Sequence, residues 1–220
     1  LRITKLTFEY QYGTDPASFE SWAYSYDTNG QVTKVVNSGE DWSDEINFDW
    51  SVAGRVTMIR SEAEKSRTWI LNDAGYVSRI VNVWGDGGDL TFDYNADGYM
   101  VKGYEVYDNN PELKSEFTIE NGNVVSFTRQ DRIKYFTYSS GENYGGIFQA
   151  ANDSFISDWQ AHTGLFGKPC KNLNTKVKWS DRDEFTEIKF EFYDDGSVKK
   201  VIRSGSDWYE NYVYEYETIQ

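Results

Sequence analysis

The segment Asp93–Gly98 has the residue types that open a calcium-binding loop, with oxygen-bearing side chains at alternate positions and a glycine at the sixth. Such a loop ends in a bidentate glutamate at its twelfth position, which is Tyr104 here, and Glu105 follows one residue too late. The segment also lies between two predicted strands, whereas a calcium loop of this type joins two helices. We therefore interpret Asp93–Gly98 as a hairpin turn and predict no metal site.

The chain contains one histidine and one cysteine, His162 and Cys170, which limits nucleophilic and metal chemistry. A disulfide within the chain needs two cysteines, and a thiolate metal cluster needs several. His162 lies four residues after Asp158 on a predicted helix, but no nucleophile-elbow motif accompanies the pair. Cys170 lies between Lys168 and Lys171, without a second thiol or imidazole to support catalysis. We predict that His162 is either buried or at a surface tip and that Cys170 is a packed free thiol. We also predict that the protein uses no cofactor and is not an enzyme.

Tryptophans in loops and clustered carboxylates leave carbohydrate chemistry open. Trp84 and Trp208 follow or lie within segments rich in Gly, Asp and Ser, where an exposed indole can stack on a sugar, and we predict both as ligand-binding residues. Trp42 has a similar setting. The tryptophans expected to pack within strands are Trp22, Trp50, Trp69 and Trp179.

A glycoside hydrolase also needs two facing carboxylates about 5 to 10 Å apart. The acidic residues cluster at Asp41, Asp44 and Glu45, at Asp181, Asp183 and Glu184, and at Asp194 and Asp195. Most of them lie in predicted turns, so we expect them to be solvated.

Six short turns repeat along the chain, and we predict a structural role for the glycine in each. The turn Tyr26-Asp27-Thr28-Asn29-Gly30-Gln31-Val32 is an example, in which an aromatic strand end leads into a polar segment and then into a second strand. Glycine adopts positive φ without steric cost, and Asp or Asn before it helps to close a hairpin. The six glycines are Gly30, Gly54, Gly75, Gly98, Gly122 and Gly196.

Alternating apolar and polar residues predict antiparallel strands through most of the chain. Residues 141–175 interrupt this pattern with an insertion that contains a predicted amphipathic helix near residues 147–163. We predict an all-β protein with a single domain over residues 1–220, built as an antiparallel up-and-down meander of about 15 strands. A sheet this long must curl or close, so we expect a closed or curled barrel in which the tyrosine-rich last strand pairs with residues 3–12.

The formal net charge of −14 excludes some classes of ligand. A chain this acidic repels phosphate backbones, so we predict no nucleic-acid binding. The sequence also lacks a run of 18 apolar residues that would predict a transmembrane helix. A membrane pore needs strands with an uncharged lipid-facing side, whereas one predicted face is rich in charge. The charged residues on that face include Lys34, Arg60, Glu62, Lys102, Lys189 and Glu191.

The turns that begin with Tyr26-Asp27 and Tyr193-Asp194 resemble the Tyr-Asp repeats of the RHS family. Together with Gly145-Gly146-Ile147 and residues 164–173, the repeated hairpins resemble a family of exported Bacteroidetes lipoproteins of unknown function with a porin-like barrel fold. This resemblance covers nearly the whole chain. It implies a signal peptide and a lipid anchor upstream, and it implies no catalytic residues.

We therefore expect a monomeric, exported, non-catalytic domain at the outer membrane or the cell surface, with the periplasm as the second choice. Its role is to bind or to act as a scaffold, with a glycan or another surface protein as the partner. The alternative is a carbohydrate-binding or carbohydrate-active protein that uses loop tryptophans and paired carboxylates. An aromatic patch at the loop ends favours binding, whereas a deep cleft with two facing carboxylates favours catalysis.

Overall fold

The structure of the protein is a computed structural model that describes residues 1–61, 65–83, 87–129, 131–144, 146–147 and 156–218. Within these residues the regular structure consists of sixteen strands and one short helix. The strands are β1 (Arg2–Tyr12), β2 (Ser18–Tyr26), β3 (Val32–Ser38), β4 (Ser43–Asp49), β5 (Arg55–Arg60), β6 (Arg67–Leu71), β7 (Val77–Val81), β8 (Asp89–Tyr94), β9 (Met100–Tyr107), β10 (Asn110–Glu120), β11 (Asn123–Arg129), β12 (Arg132–Glu142), β13 (Asn172–Trp179), β14 (Thr186–Phe192), β15 (Val198–Ser204) and β16 (Trp208–Glu217). The helix is α1 (Asp158–Ala161).

Each strand pairs antiparallel with the next one along the chain, and β16 pairs with β1 to close the sheet into a barrel. The closing pair aligns Leu6 with Tyr214 and Phe8 with Tyr212, which confirms the predicted pairing of the last strand with residues 3–12. The prediction of an all-β up-and-down meander is confirmed, and the sheet closes instead of remaining an open curl. Closure removes the two edges that an open sheet would expose.

Alternation along each strand separates an apolar inner face from a charged outer face. In β4, Ile46 and Phe48 are buried, while the neighbouring Glu45 and Asn47 are exposed. Cross-strand ion pairs on the outer face join Lys5 to Glu215 (3.6 Å), Lys102 to Glu116 (3.4 Å) and Lys176 to Glu187 (3.4 Å). Charges therefore occupy outer strand positions, where a lipid-facing barrel carries an uncharged band.

Arg60 is an exception to the predicted outer face. It is aligned with the buried Ile46, and cross-strand partners share one side of a sheet, so Arg60 faces inward. Its guanidinium lies 3.3 Å from the Asp44 carboxylate. The prediction is wrong for this residue because the inner face becomes polar near the end of the barrel, where a carboxylate can satisfy a guanidinium. Glu62, predicted on the same face, lies outside the described residues.

The two ends of the barrel carry different connections. The six predicted turn glycines all follow even-numbered strands, and all have positive φ, between 71° and 88°. We name this side of the barrel the glycine end. The connections after odd-numbered strands lie at the opposite side, which includes Trp42 and Trp208 and which we name the tryptophan end.

The described residues of the segment 143–171, between β12 and β13, pack into the barrel at the glycine end. Phe166 is fully buried against Trp69 and Phe92, with ring centroids 5.3 and 5.9 Å away. Backbone hydrogen bonds of 2.8 to 2.9 Å join the segment to neighbouring hairpins, from Val77 to Leu165, from Lys168 to Gly98 and from Lys171 to Gly122. The insertion predicted from the sequence therefore closes this end of the barrel.

The helix predicted near residues 147–163 is present but short. In the described part of the segment it spans only Asp158–Ala161, and residues 148–155 lie outside that part. Ile147 and Ile156 are buried without being helical, and the Asn143 side chain holds Ile147 through two hydrogen bonds. In the described part of the segment, burial therefore extends beyond the helix to residues that are not helical. Among the described residues, no helix has the length and apolar character needed to cross a membrane.

Candidate functional site

Two turns at the tryptophan end have the same sequence pattern and the same backbone geometry. Residues 38–42 and 204–208 both read Ser-Gly-x-Asp-Trp, and each connects two neighbouring strands. In both turns the glycine amide donates to the tryptophan carbonyl oxygen at 3.0 Å, from Gly39 to Trp42 and from Gly205 to Trp208. The repeated pentapeptide is the sequence feature that reveals this equivalence, and considering each tryptophan alone misses it.

The glycine in each turn makes room for an indole ring. A Cβ atom at Gly205 would lie 2.1 Å from Nε1 of Trp208, and one at Gly39 would lie 2.3 Å from Nε1 of Trp42. These distances are well inside van der Waals contact, so a larger residue would displace the ring. An aromatic ring packed over a glycine shields backbone atoms that the glycine, having no side chain, leaves uncovered. The turn thus holds each indole in place, and 47% of Trp42 remains exposed.

Trp208 lines a cleft of about 470 Å³ at the tryptophan end. Its aromatic side chains are Tyr12, Trp179, Phe185 and Trp208. Its charged side chains are Lys134, Arg182, Arg203, Glu184, Asp207 and Glu210. Aromatic rings combined with a few convergent polar groups are typical of a site for small ligands.

Closure of the barrel assembles one side of this cleft. Tyr12 is aligned with Trp208 across the β1–β16 pair, and Arg203 is aligned with Glu210 across the β15–β16 pair. The Glu210 carboxylate lies 3.0 Å from Nη1 of Arg203 and accepts a hydrogen bond of 3.0 Å from the Tyr12 hydroxyl, which is 198 positions away in the chain. Desolvation, and then the Glu210 carboxylate, raise the pKa of Tyr12, so its hydroxyl keeps its proton and remains a donor.

The other side of the cleft includes Trp179, which is held between two cations. The guanidinium carbon of Arg132 lies 4.3 Å from the centroid of the Trp179 ring, and Nζ of Lys134 lies 5.1 Å from it. Arg132 also forms an ion pair with Asp181, with Nε 3.2 Å from Oδ2. Cation–π contacts contribute about 0.5 to 1 kcal/mol at exposed sites and more where they are desolvated. Trp179 packs against the core from its strand, as predicted, and it also borders the cleft because it is the last residue of β13.

The cleft opens beside a short strand pairing. In the described residues, β13 and β14 share two aligned pairs, Lys176 with Glu187 and Val177 with Thr186. β13 continues to Trp179, whereas β14 begins only at Thr186, so residues 180–185 form a loop that borders the cleft. This loop supplies Phe185, which is 51% exposed.

The two tryptophans predicted to bind a ligand have different outcomes. Trp208 lines the cleft, which keeps it as a candidate for ligand contact. Trp84 lies outside the described residues. Trp42, which has a similar setting in the sequence, lies in the other Ser-Gly-x-Asp-Trp turn, at residues 38–42. We name these two turns, residues 38–42 and 204–208, the tryptophan turns.

The acidic clusters lie in separate places. Glu184 borders the cleft, whereas Glu45 forms an ion pair with Lys34 on the outer face. Asp195 accepts a hydrogen bond from the Ser197 amide in a turn at the glycine end. The three clusters therefore do not form one group of carboxylates.

His162 and Cys170 are both buried inside the glycine end, which confirms the prediction for Cys170 and selects one of the two predicted states for His162. The His162 ring lies edge-on to Tyr214 with centroids 5.5 Å apart, and burial lowers the pKa of His162 to about 3, so the imidazole stays neutral near pH 7. The Cys170 sulfur lies 3.3 Å from the Tyr138 hydroxyl and accepts a hydrogen bond from the Val124 amide, and burial raises the pKa of the thiol. The side chain of Asp158, four residues before His162 in the sequence, lies outside the described part of the structure.

The segment that resembles a calcium loop is a hairpin turn. The Asn95 side-chain oxygen accepts hydrogen bonds from the amides of Asp97 and Tyr99, at 3.1 and 3.0 Å. Tyr104, at the position where a calcium loop has glutamate, donates to Asp93 at 3.0 Å. These oxygen atoms therefore serve the turn itself. In the part of the chain that the structure describes, no group of three or more His, Cys, Asp or Glu side chains could hold a metal ion.

These features define the class of protein: a closed up-and-down β-barrel of sixteen described strands, with an internal segment at one end and an aromatic cleft at the other. Residues 24–197 match the family described as a domain of unknown function, DUF4595, with porin-like fold, and the chain belongs to this family. The match confirms the porin-like barrel that the sequence resemblance implies. The lipid anchor and the relation to Tyr-Asp repeats stay predictions.

A solved structure has the same architecture. The crystal structure of a porin-like protein from Bacteroides uniformis aligns with a TM-score of 0.76, covers 98% of each chain and is 17% identical in sequence. At this identity the likeness shows the fold alone. No curated protein matches the chain.

Proposed function

We propose that the domain is a non-catalytic binding domain and that the cleft beside Trp208 binds a carbohydrate. The observation that carries this proposal is the presence, in one cleft, of four aromatic side chains together with charged groups of both signs. A sugar ring presents C–H groups that pack on an aromatic ring, and hydroxyl groups that both donate and accept hydrogen bonds. Indole and phenol rings supply the apolar surface, and carboxylate and guanidinium groups supply the polar partners.

The domain is displayed by an exported protein, anchored by a lipid at the outer membrane or the cell surface, with the periplasm as the second location. The resemblance to exported lipoproteins supports export, and the charged outer face of the barrel suits a domain surrounded by water. We expect an antibody against the domain to stain intact cells. Recovery of the protein only in the cytoplasmic fraction would contradict this location.

The alternative function is glycoside hydrolysis, which needs two carboxylates that face each other across the bound sugar. Binding is favoured because Glu210 is already engaged by the Arg203 guanidinium and the Tyr12 hydroxyl. Incubation with oligosaccharides, followed by measurement of new reducing ends, is expected to show no turnover. Release of reducing ends that disappears in both Glu210→Gln and Glu184→Gln would favour the enzyme.

The central test is a glycan array followed by titration calorimetry with the wild type and Trp208→Ala. Loss of one stacking ring is expected to weaken binding about tenfold or more. A Trp84→Ala, Trp208→Ala double variant measures what the second predicted tryptophan adds. Tyr144→Ala is the matched control, because Tyr144 is an aromatic residue that is 52% exposed at the glycine end. The absence of wild-type binding across the array would contradict a carbohydrate ligand and favour a protein partner at the cell surface.

A further inference from the structure

We infer that the two tryptophan turns belong to one extended site, which binds a neutral polysaccharide across several consecutive sugar units. This inference rests on the proposed carbohydrate-binding function of the cleft and adds the kind of carbohydrate. The ligand is a chain instead of a single sugar, and it is uncharged instead of acidic. Trp208 marks one end of the site and Trp42 marks the other.

The distance between the turns requires a long ligand. Trp208 is the first residue of β16 and Trp42 directly precedes β4, with β1, β2 and β3 between them in the barrel. Neighbouring strands are about 4.8 Å apart, so four strand steps place the two turns roughly 19 Å apart, measured across the strands. A single sugar ring cannot contact both indoles, whereas an oligosaccharide chain can.

Both indoles are on the inner side of the barrel rim. Trp208 lies two residues before Glu210, which contacts Arg203 in the cleft. Trp42 lies two residues before Asp44, whose carboxylate contacts the inward-facing Arg60. Residues two positions apart in an extended strand point to the same face. The two rings therefore face the same mouth of the barrel.

One aromatic side chain lies beside Trp208 in the direction of Trp42. Tyr12 on β1 is aligned with Trp208 and is 51% exposed. β1 directly follows β16 in the barrel, and β2 and β3 lie between β1 and β4. A chain that leaves Trp208 in the direction of Trp42 thus passes the Tyr12 ring before it crosses β2 and β3 to the second turn.

A repeated turn suits a ligand with a repeated unit. Each turn supplies an indole packed on a glycine and an aspartate directly before it, Asp41 before Trp42 and Asp207 before Trp208. A carboxylate accepts hydrogen bonds from hydroxyl groups, and an indole packs on C–H groups. Two equivalent turns that face one mouth can therefore contact two equivalent units of one polymer. A single small ligand would use only one of them.

The negative charge of the protein favours an uncharged polysaccharide over an acidic one. The formal net charge is −14, and the two turns themselves carry Glu40, Asp41 and Asp207. Within the cleft, three cations (Lys134, Arg182 and Arg203) balance three carboxylates, so the repulsion of chains that carry uronate, sulfate or phosphate groups comes from the turn at Trp42 and from the net charge. A neutral polysaccharide avoids this repulsion and still presents hydroxyl groups to the carboxylates.

The test compares short and long neutral probes on variants that displace each indole (glycine to alanine) or remove it (tryptophan to alanine). The probes are maltose and maltohexaose, cellobiose and cellohexaose, mannobiose and mannohexaose, and the same two lengths of any neutral series that a glycan array selects.

We expect the wild type to bind the hexasaccharide of its preferred series about tenfold or more tightly than the disaccharide, because two linked contacts reinforce each other. Gly39→Ala and Trp42→Ala should weaken hexasaccharide binding about tenfold and leave disaccharide binding unchanged. Gly205→Ala and Trp208→Ala should weaken the binding of both lengths.

The outcomes separate this inference from the proposed function. Equal wild-type affinity for the two lengths, or full hexasaccharide affinity in Trp42→Ala, overturns the extended site while the binding cleft stands. The absence of wild-type binding in every series overturns the proposed function itself. Galacturonate hexasaccharide binding as tight as that of the neutral probe overturns the selection for an uncharged chain. Tyr144→Ala serves as the aromatic control, and thermal unfolding of every variant verifies that the barrel is intact.

Discussion

The two ends of the barrel use glycine for different purposes. At the glycine end, residues such as Gly30 and Gly98 have positive φ, which allows the chain to reverse in a tight hairpin. In the two tryptophan turns, Gly39 and Gly205 are required for space, because an indole ring occupies the place of a Cβ atom. The first use shapes the backbone, and the second positions a side chain. This difference is consistent with our proposal that the tryptophan end binds a ligand, whereas the glycine end stabilises the barrel.

The aromatic side chains at the two ends follow the same division. At the glycine end, Trp159 and Phe166 are buried in the interior of the barrel. At the tryptophan end, Trp42 and Phe185 remain about half exposed. Burial of apolar surface stabilises the folded state, whereas a set of exposed rings gains contacts only when a ligand covers them.

The largest expected effect compares Phe166→Ala with Phe185→Ala. Phe166 is fully buried between Trp69 and Phe92, so its truncation should lower the free energy of unfolding by about 3 to 5 kcal/mol. Phe185 is 51% exposed, and its truncation should change stability by no more than about 0.5 kcal/mol while it weakens ligand binding. Urea unfolding of both variants provides the measurement. Equal losses of stability would remove the distinction between the two ends.

A smaller effect is expected when alanine replaces two glycines that both have positive φ. A Cβ atom at Gly167 would lie 2.9 Å from the carbonyl oxygen of Gly98, whereas nothing lies within 4 Å of one at Gly54. Gly54→Ala should cost about 1 kcal/mol from backbone strain alone. Gly167→Ala should cost about 2 to 3 kcal/mol, because the clash adds to the strain. Thermal unfolding of the two variants measures the difference, and equal costs would show that the internal segment does not pack tightly on the glycine turns.

The pH dependence of stability provides a third test, again at the glycine end. Burial lowers the pKa of His162 to about 3 in the folded state, whereas an unfolded histidine has a pKa of about 6.5. The unfolded state therefore binds more protons between these values. The contribution of His162 to stability is complete above pH 6.5 and is lost by up to about 1.4 kcal/mol per unit as the pH falls toward 3.

Urea unfolding at pH 7.5 and pH 5.0 measures this loss. The wild type should lose about 2 kcal/mol more than His162→Gln over this interval, since the variant lacks the titrating group. The carboxylates titrate in both proteins, so the difference between the two isolates the histidine. An identical loss in both proteins would place His162 in contact with solvent.

A small effect on stability is also expected for Gly205→Ala at the tryptophan end. The added Cβ atom displaces the Trp208 indole, but the turn has no positive φ at this glycine, so stability should fall by less than about 1 kcal/mol. Carbohydrate binding should nevertheless weaken about tenfold. Thermal unfolding and calorimetry on the same sample measure both quantities. A large loss of stability without a loss of binding would assign the tryptophan turns a structural role.

Part of the candidate site could be predicted from the sequence. Trp208 follows a short segment of Gly, Ser and Asp, and this local composition was sufficient to select it. Trp179 could not be selected in the same way, because it lies in a strand and borders the cleft only where β14 begins late. The inward position of Arg60 was also missed, because its partner Asp44 lies on a neighbouring strand.

The sequence by itself determined the strands, the six turn glycines and the up-and-down order, because strand periodicity and turn chemistry depend on residues a few positions apart. Only the tertiary structure decided that the sheet closes instead of remaining curled, that the described residues of 143–171 pack inside one end and that Tyr12 meets Glu210 in the cleft. These contacts join distant parts of the chain, up to 198 positions apart for Tyr12 and Glu210. They depend on packing and strand register around the whole barrel, which no local pattern of residues encodes.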